Sequence, residues 1–255
     1  MASDGTYFDT DTKLMLHMDG ADTSTTFTDS STSGRTMTAV DNAQIDTAQS
    51  VFGGASGLFD GTGDFLTAVD SDDFYLSGDF TIDFRLRFSS VAATKAFFSQ
   101  ETDGDNRIGM NWTNPGTLRF FMRDSATNYL IDQAWSPSAD IWYHIAIVRS
   151  GLSFYTFVDG TQLGSTITEA HVPANYTGTL NIGRVASNTD IDMLGWLDEF
   201  RWVKGTAIWT SNFTSPAAAY TKTTSIKSIN GLAYASIKSR NGLAIGSIKS
   251  HNGLA

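Results

Sequence analysis

The segment Phe80-Thr81-Ile82-Asp83-Phe84-Arg85-Leu86-Arg87-Phe88 alternates apolar and polar residues without a break. In an extended chain Phe80, Ile82, Phe84, Leu86 and Phe88 share one face, and Thr81, Asp83, Arg85 and Arg87 take the other. A helix would scatter both sets around its surface. Similar patterning predicts further strands over residues 13–18, 57–59, 65–68, 96–100, 107–112, 117–123, 129–134, 142–149, 153–158, 162–165, 180–183 and 196–203. Asp60-Gly61, Asp103-Gly104, Asn114-Pro115-Gly116 and Asp159-Gly160 supply turns between them. Residues 154–158, Asp159-Gly160 and 161–163 read as a tight hairpin. No helix longer than a turn is predicted. Many short, evenly spaced strands predict an all-β fold, a two-sheet antiparallel jelly-roll sandwich.

A boundary is expected near Pro216, with the sandwich over residues 1–220 and an appendage over 221–255. The appendage repeats one unit with a period of 11: Ser225–Ala233, Ser236–Ala244 and Ser247–Ala255, each containing Asn-Gly. An 11-residue period also suits a right-handed coiled coil. The Asn-Gly pair favours positive-φ turns and argues for short strands instead. So small a unit has almost no core and needs neighbours to become ordered. Ile226, Leu232, Ile237, Leu243, Ile248 and Leu254 are the residues expected to bury on assembly.

Composition narrows the functional classes. Lys plus Arg is 17 and Asp plus Glu is 27, so the net charge is 17 − 27 = −10. A chain this acidic is a poor nucleic-acid binder, because phosphate contacts need a basic face. There is no cysteine, which removes disulfides, cysteine metal sites and thiol nucleophiles. The N-terminus shows no signal-peptide pattern, and no apolar run approaches the roughly 20 residues of a membrane span. The expectation is a virion or extracellular protein released by lysis, without membrane insertion.

Several segments carry a resemblance in their order and spacing. They are Leu14-Met15-Leu16-His17-Met18-Asp19-Gly20-Ala21-Asp22, Phe59-Asp60-Gly61-Thr62-Gly63-Asp64, Gly78-Asp79-Phe80-Thr81-Ile82, Trp142-Tyr143-His144-Ile145-Ala146, Phe157-Val158-Asp159-Gly160, Leu180-Asn181-Ile182-Gly183 and Gly195-Trp196-Leu197-Asp198-Glu199-Phe200-Arg201. Over residues 10–220 the chain resembles the LamG-like jelly rolls of the concanavalin A-like lectin/glucanase superfamily. The resemblance implies two packed antiparallel sheets and a non-catalytic adhesion or sugar-binding module, of a kind found in phage structural proteins. Fold alone does not assign the activity.

The glucan-cutting members carry a Glu-x-Asp-x-x-Glu strand that holds two carboxylates a few ångströms apart. The nearest string, Glu101-Thr102-Asp103-Gly104-Asp105-Asn106, lacks the third carboxylate and is broken by Asp-Gly, so no catalytic residue is expected. Adjacent Asp198 and Glu199 point to opposite faces of a regular strand. A structural calcium ion needs about six to eight oxygens. Related domains bring an early acidic loop to the late Asp-Glu strand, which gives Asp19, Asp22, Asp29, Asp198 and Glu199 as candidate ligands. The competing reading makes these residues turn caps and ion-pair partners. His144, in an apolar strand, reads as a hydrogen-bonded structural histidine.

Sugar binding calls for an aromatic face flanked by hydrogen-bonding groups. Trp112, Tyr129 and Trp135 lie near strand ends, with Asn111, Arg123 and Asn128 close in sequence, and form the candidate carbohydrate site. The expected partners are a glycan or cell-surface ligand, and other copies of this chain or other virion proteins engaged through the repeats. A stand-alone lectin is the alternative, and a glycoside hydrolase a weaker one.

Overall fold

The structure, a computed structural model, describes residues 7–222 and, within the repeats, only the backbone of Ser228–Ile229, Leu232–Ala233, Ser239–Arg240 and Leu243–Ala244. In chain order the strands of the main unit are β1 (Tyr7–Phe8), β2 (Thr12–Leu16), β3 (Thr38–Val40), β4 (Gln44–Asp46), β5 (Ser56–Asp60), β6 (Phe65–Ala68), β7 (Phe80–Phe88), β8 (Lys95–Asp103), β9 (Asn106–Thr113), β10 (Thr117–Asp124), β11 (Thr127–Ala134), β12 (Trp142–Ser150), β13 (Ser153–Val158), β14 (Thr161–Gln162), β15 (Ile167–Thr168), β16 (Leu180–Ile182), β17 (Leu194–Lys204) and β18 (Thr221–Lys222). Two three-residue 3-10 turns, Asp72–Phe74 and Thr189–Ile191, are the helical elements among the described residues.

Two antiparallel sheets face each other. A seven-stranded sheet runs β11-β10-β9-β8-β16-β6-β3. A nine-stranded sheet runs β14-β13-β12-β7-β17-β5-β4, with β15 added at β13 and β2 at β17. The inward residues of β7 (Phe80, Ile82, Phe84, Leu86, Phe88) meet Phe98, Ile108, Met110, Leu118 and Phe120 of the opposite sheet in one core. Ring contacts knit the layers: Phe84 lies 5.4 Å from Phe97, and Phe98 meets Trp202 edge-on at 5.5 Å.

The polar face of β7 is not solvated as its alternation predicts. Thr81 and Asp83 are fully buried, and Arg85 nearly so. Residues 205–220 run across this outer face as a strap. Trp209 stacks on Phe213 at 3.9 Å and joins Ala146, Val148 and Phe157 in a second apolar cluster. Under the strap Asp83 accepts from Arg201 Nε at 2.8 Å and from the Tyr220 hydroxyl. His144 Nε2 lies 3.1 Å from Asp83, and Nδ1 lies 3.1 Å from Ser215 Oγ. Burial would push the Asp83 carboxyl up, but Arg201 and His144 outweigh it and hold it below the usual carboxylate range. Burial lowers the His144 pKa more than Asp83 raises it, with Arg85 and Arg201 adding to the lowering, so the ring is neutral. The neutral form that satisfies both partners donates from Nε2 to Asp83 and accepts at Nδ1 from Ser215. His144 is a structural histidine.

The chain divides into two compact units, Met1–Lys222 and Thr223–Ala255. In the second, Ser228–Ile229 pairs antiparallel with Leu232–Ala233, and Ser239–Arg240 with Leu243–Ala244. Of the expected assembly residues, Leu232 and Leu243 fall in these strands. Ile226, Ile237, Ile248 and Leu254 lie outside the described residues.

Candidate functional site

Period-two alternation sorts β9, β10 and β11 into two faces. Ile108, Met110, Trp112, Leu118, Phe120, Met122 and Ile131 point into the core. Arg107, Asn111, Arg119, Phe121, Arg123 and Leu130 point outward and line a groove of about 260 Å³. Val185, Asn188 and Ile191 form its wall on one side. That wall is tied to the sheet, since Ala186 N–H donates to Ser99 Oγ at 3.3 Å and Ser187 N–H to Glu101 Oε2 at 3.0 Å. At its base Arg184 pairs with buried Asp192 at 2.9 Å, and Asp192 also accepts from Gly63 N–H.

Phe121 is the centre of the floor. It pairs in register with Gly109 on one side and Leu130 on the other. A Cβ at Gly109 would sit 2.6 Å from Phe121 Cζ, so the ring occupies the space that the missing side chain leaves. Arg107 and Arg123 face each other on one side of the ring, and Arg119 faces Asn111 on the other. Arg119 is held by a two-pronged pair with Asp132 at 2.8 and 2.7 Å, which raises its pKa further. Arg123 is held by Asp105 at 2.8 Å and Asn128 Oδ1 at 2.9 Å. Arg107 lies 5.8 Å from the Phe121 centroid and donates to Ser187 Oγ. Asn111 donates to Thr113 Oγ1 at 3.1 Å, while its buried Oδ1 has no hydrogen-bond partner.

The residues expected to bind sugar are divided by the structure. Asn111, Arg123 and Asn128 lie in the groove. Trp112 does not: it is in step with Ile108 and Met110, is 2% exposed, and its indole N–H donates to the Trp135 carbonyl at 3.1 Å. Trp135 packs against Phe88 and Tyr143 at the core margin. Tyr129 stacks flat on His171 at 3.6 Å, and His171 in turn pairs with Asp124. Phe121, Arg107 and Arg119 were not among the expected residues. The signal for Phe121 and Arg119 is the run Arg119-Phe120-Phe121-Met122-Arg123, in which one strand face reads Arg, Phe, Arg; Arg107 joins them only through the pairing of β9 with β10.

The five expected calcium ligands do not form one cage. Asp29 spends both oxygens on Met15, Ser31 and Arg35 backbone N–H groups and the Ser31 hydroxyl, closing a turn. Exposed Asp22 accepts from Thr47 N–H. Glu199 binds His17 Nδ1 at 2.7 Å and Tyr220 N–H at 2.9 Å. Among the described residues no group of three or more His, Asp or Glu side chains is arranged to hold a metal ion. Asp19 and Asp198 remain as neighbours. The Asp19 carboxylate packs against Gly53, and Asp198 Oδ2 accepts from Val51 and Phe52 N–H at 2.8 and 3.2 Å. Asp198 Oδ1 is buried without a hydrogen-bond partner. Burial pushes the Asp198 pKa up to about 7 against those two N–H groups, with Glu199 and Asp19 adding to the rise. The expected opposite facing of Asp198 and Glu199 assumed a regular strand. A bulge between Asp198 and Arg201, with Glu199 at φ 51°, breaks the alternation there.

The carboxylates of the Glu101–Asn106 string serve local structure. Glu101 holds Ser187, Asp103 accepts from Asp105 N–H and Asn106 Nδ2, and Asp105 holds Arg123.

No curated protein matches the chain. Among solved structures it is similar to domain 4 of AbnA, an extracellular GH43 arabinanase from Geobacillus stearothermophilus in complex with arabinotriose. The identity is 15% and the TM-score 0.59, over 77% of this chain and 93% of that one. The binding domain of botulinum neurotoxin serotype G and that of Paraclostridial Mosquitocidal Protein 1 each give 15% identity and a TM-score of 0.59, over 76% of this chain. The match spans about half the length of those two domains, 48% of each. At such identity the likeness shows the fold. A family model, the concanavalin A-like lectin/glucanases superfamily, matches residues 60–208, more than half of the sequence. With that match and the sandwich described above, this chain belongs to the concanavalin A-like lectin/glucanases superfamily.

Proposed function

We propose that the chain is a non-enzymatic glycan-recognition module. Its groove over β9, β10 and β11 takes a short sugar segment, and its C-terminal repeats assemble it into an oligomer on a virion surface. The observation that carries the glycan reading is Phe121, laid over Gly109 between Arg107, Arg119, Arg123 and Asn111. A pyranose offers a CH face to an aromatic ring and hydroxyls to the flanking polar groups, and this floor presents both kinds of partner. The arabinotriose in the similar arabinanase domain supports the class of ligand. The local duties of Glu101, Asp103 and Asp105 support a binding role rather than hydrolysis. The calcium reading narrows to Asp19 and Asp198, carried by the orphaned Asp198 Oδ1.

A glycan array with the intact chain and with Phe121→Ala tests the groove. Binding that falls at least ten-fold in the variant, with unchanged melting, supports the reading; equal binding by both proteins overturns it. Native mass with and without residues 225–255 tests the assembly role. The expected result is an oligomer that becomes a monomer on deletion, and a particle of unchanged stoichiometry rejects it.

A further inference from the structure

Three arginines and no acidic side chain line the groove, on a chain whose net charge is −10. Two of the three have acidic partners behind them: Asp132 holds Arg119 and Asp105 holds Arg123. The third does not. Arg107 lies opposite Glu101 in register, yet Glu101 turns one oxygen to the Ser187 N–H and buries the other without a partner. Among the described residues Arg107 makes no ion pair, and its hydrogen bond is to the Ser187 hydroxyl. Arg107 and Arg123 are also directly opposed across β9 and β10 on the same face. Side chains so placed have Cβ atoms about 5 Å apart, and like charges there repel. An arrangement that sets two guanidinium groups side by side, one without a counter-charge, is relieved by an anion between them. Guanidinium groups suit carboxylate and sulfate oxygens because they present paired donors in a plane. The Phe121 ring lies beside this pair of cations, within one residue of both along the face.

We propose that the groove selects an acidic glycan, with the carboxylate or sulfate of one sugar residue bridging Arg107 and Arg123 while its ring rests on Phe121. This inference rests on the glycan reading of the same groove. Asp105 and Asn128 hold Arg123 in position, and Asp132 fixes Arg119, which faces the hydroxyls of the next residue. The acidic sugar thus docks at the end of the groove formed by Arg107, Arg123 and the Ser187 wall.

The experiment uses the full chain and three matched pairs of probes: tetragalacturonate and its methyl ester, sialyllactose and lactose, and a sulfated galacto-oligosaccharide with its desulfated form. Calorimetry is run at low and at high salt, with wild type, Arg107→Gln and Phe121→Ala, each checked by circular dichroism and melting. In at least one pair the acidic member should bind ten-fold or more tighter than its neutral partner. That preference should shrink at high salt, and the ratio of acidic to neutral affinity should fall at least five-fold in Arg107→Gln. The carboxylate and sulfate pairs separate the two sources of the anion. Neutral members that bind as well as the acidic ones, with binding lost in Phe121→Ala, overturn the acidic preference and leave the glycan reading standing. An acidic preference that survives Arg107→Gln also overturns it. No binding to any of the six probes rejects both readings of the groove.

Discussion

Replacing Asp83 by alanine tests the buried network beneath the strap. Asp83 is fully buried and accepts from Arg201 Nε, from the Tyr220 hydroxyl and from His144 Nε2. Removing one partner of a buried ion pair costs about 3–5 kcal/mol, because the remaining charge keeps its burial and loses its counter-charge. Each neutral donor deprived of its acceptor adds about 1–3 kcal/mol, less whatever water or rearrangement recovers. A loss of roughly 5 kcal/mol is expected at pH 7, a large share of the 5–15 kcal/mol that holds an ordinary domain. Asp83→Asn keeps the shape and one acceptor and should lose less. Urea unfolding followed by tryptophan fluorescence gives both values. The wild type carries a pH signature as well. The His144 pKa is lowered in the fold, so the unfolded chain binds a proton first and stability falls as pH drops below about 6.5. The depressed pKa of Asp83 gives stability that is present above its unfolded value and is lost as pH falls through the lower folded one. In Asp83→Ala the Asp83 effect should vanish, whereas the His144 effect should deepen, because the carboxylate that holds the ring's pKa up is gone. A loss below about 1 kcal/mol, or an unchanged acid limb, would show that the strap and not the network holds this face.

Asp198 should act in the opposite direction. Its pKa is raised to about 7, so the folded chain keeps a proton that the unfolded chain releases above about pH 4, and stability falls between those values. In chelator-treated buffer Asp198→Asn should match wild type at about pH 4 and exceed it by a few kcal/mol at pH 8, since about 3 pKa units correspond to roughly 4 kcal/mol. Parallel pH profiles would refute this, and calcium that raises wild-type melting at pH 8 but not the variant's would support the cation reading. Gly195 has φ 139°, and a Cβ there would fall on the Arg87 carbonyl oxygen. Gly195→Ala should therefore destabilise by more than the ~1 kcal/mol by which such an exchange stabilises at a compatible site, read as a lowered urea midpoint; an unchanged midpoint would mean that β7 and β17 separate without cost.

The long strands were legible because alternation records burial on one face. Residues 80–88, 65–68 and 153–158 coincide with β7, β6 and β13, and the others agree to within a few residues. Short elements escaped. Thr38-Ala39-Val40 and Gln44-Ile45-Asp46 are too brief to show a period, and β1 and β18 exist through a pairing between distant parts of the chain. The same alternation misled where a second layer covers the polar face, since nothing local to Asp83 or Arg85 announces the strap. In the groove, attention to tryptophan favoured Trp112, whose register with Ile108 and Met110 sends it inward. The Arg-Phe-Arg face marks Phe121 in the sequence, but its place as the floor shows only with its neighbours across β9, because it is Gly109 that gives the ring its seat.

The parallel pairing of Tyr7–Phe8 with Thr221–Lys222 sets entry and exit of the sandwich side by side, within the 4.7–4.9 Å that separates neighbouring strands. A polypeptide that begins and finishes at one corner can be spliced into a surface loop of a host protein without stretching that loop. The jelly roll therefore has the geometry of a transplantable cassette, able to give a new scaffold its groove while leaving the recipient's own folding intact.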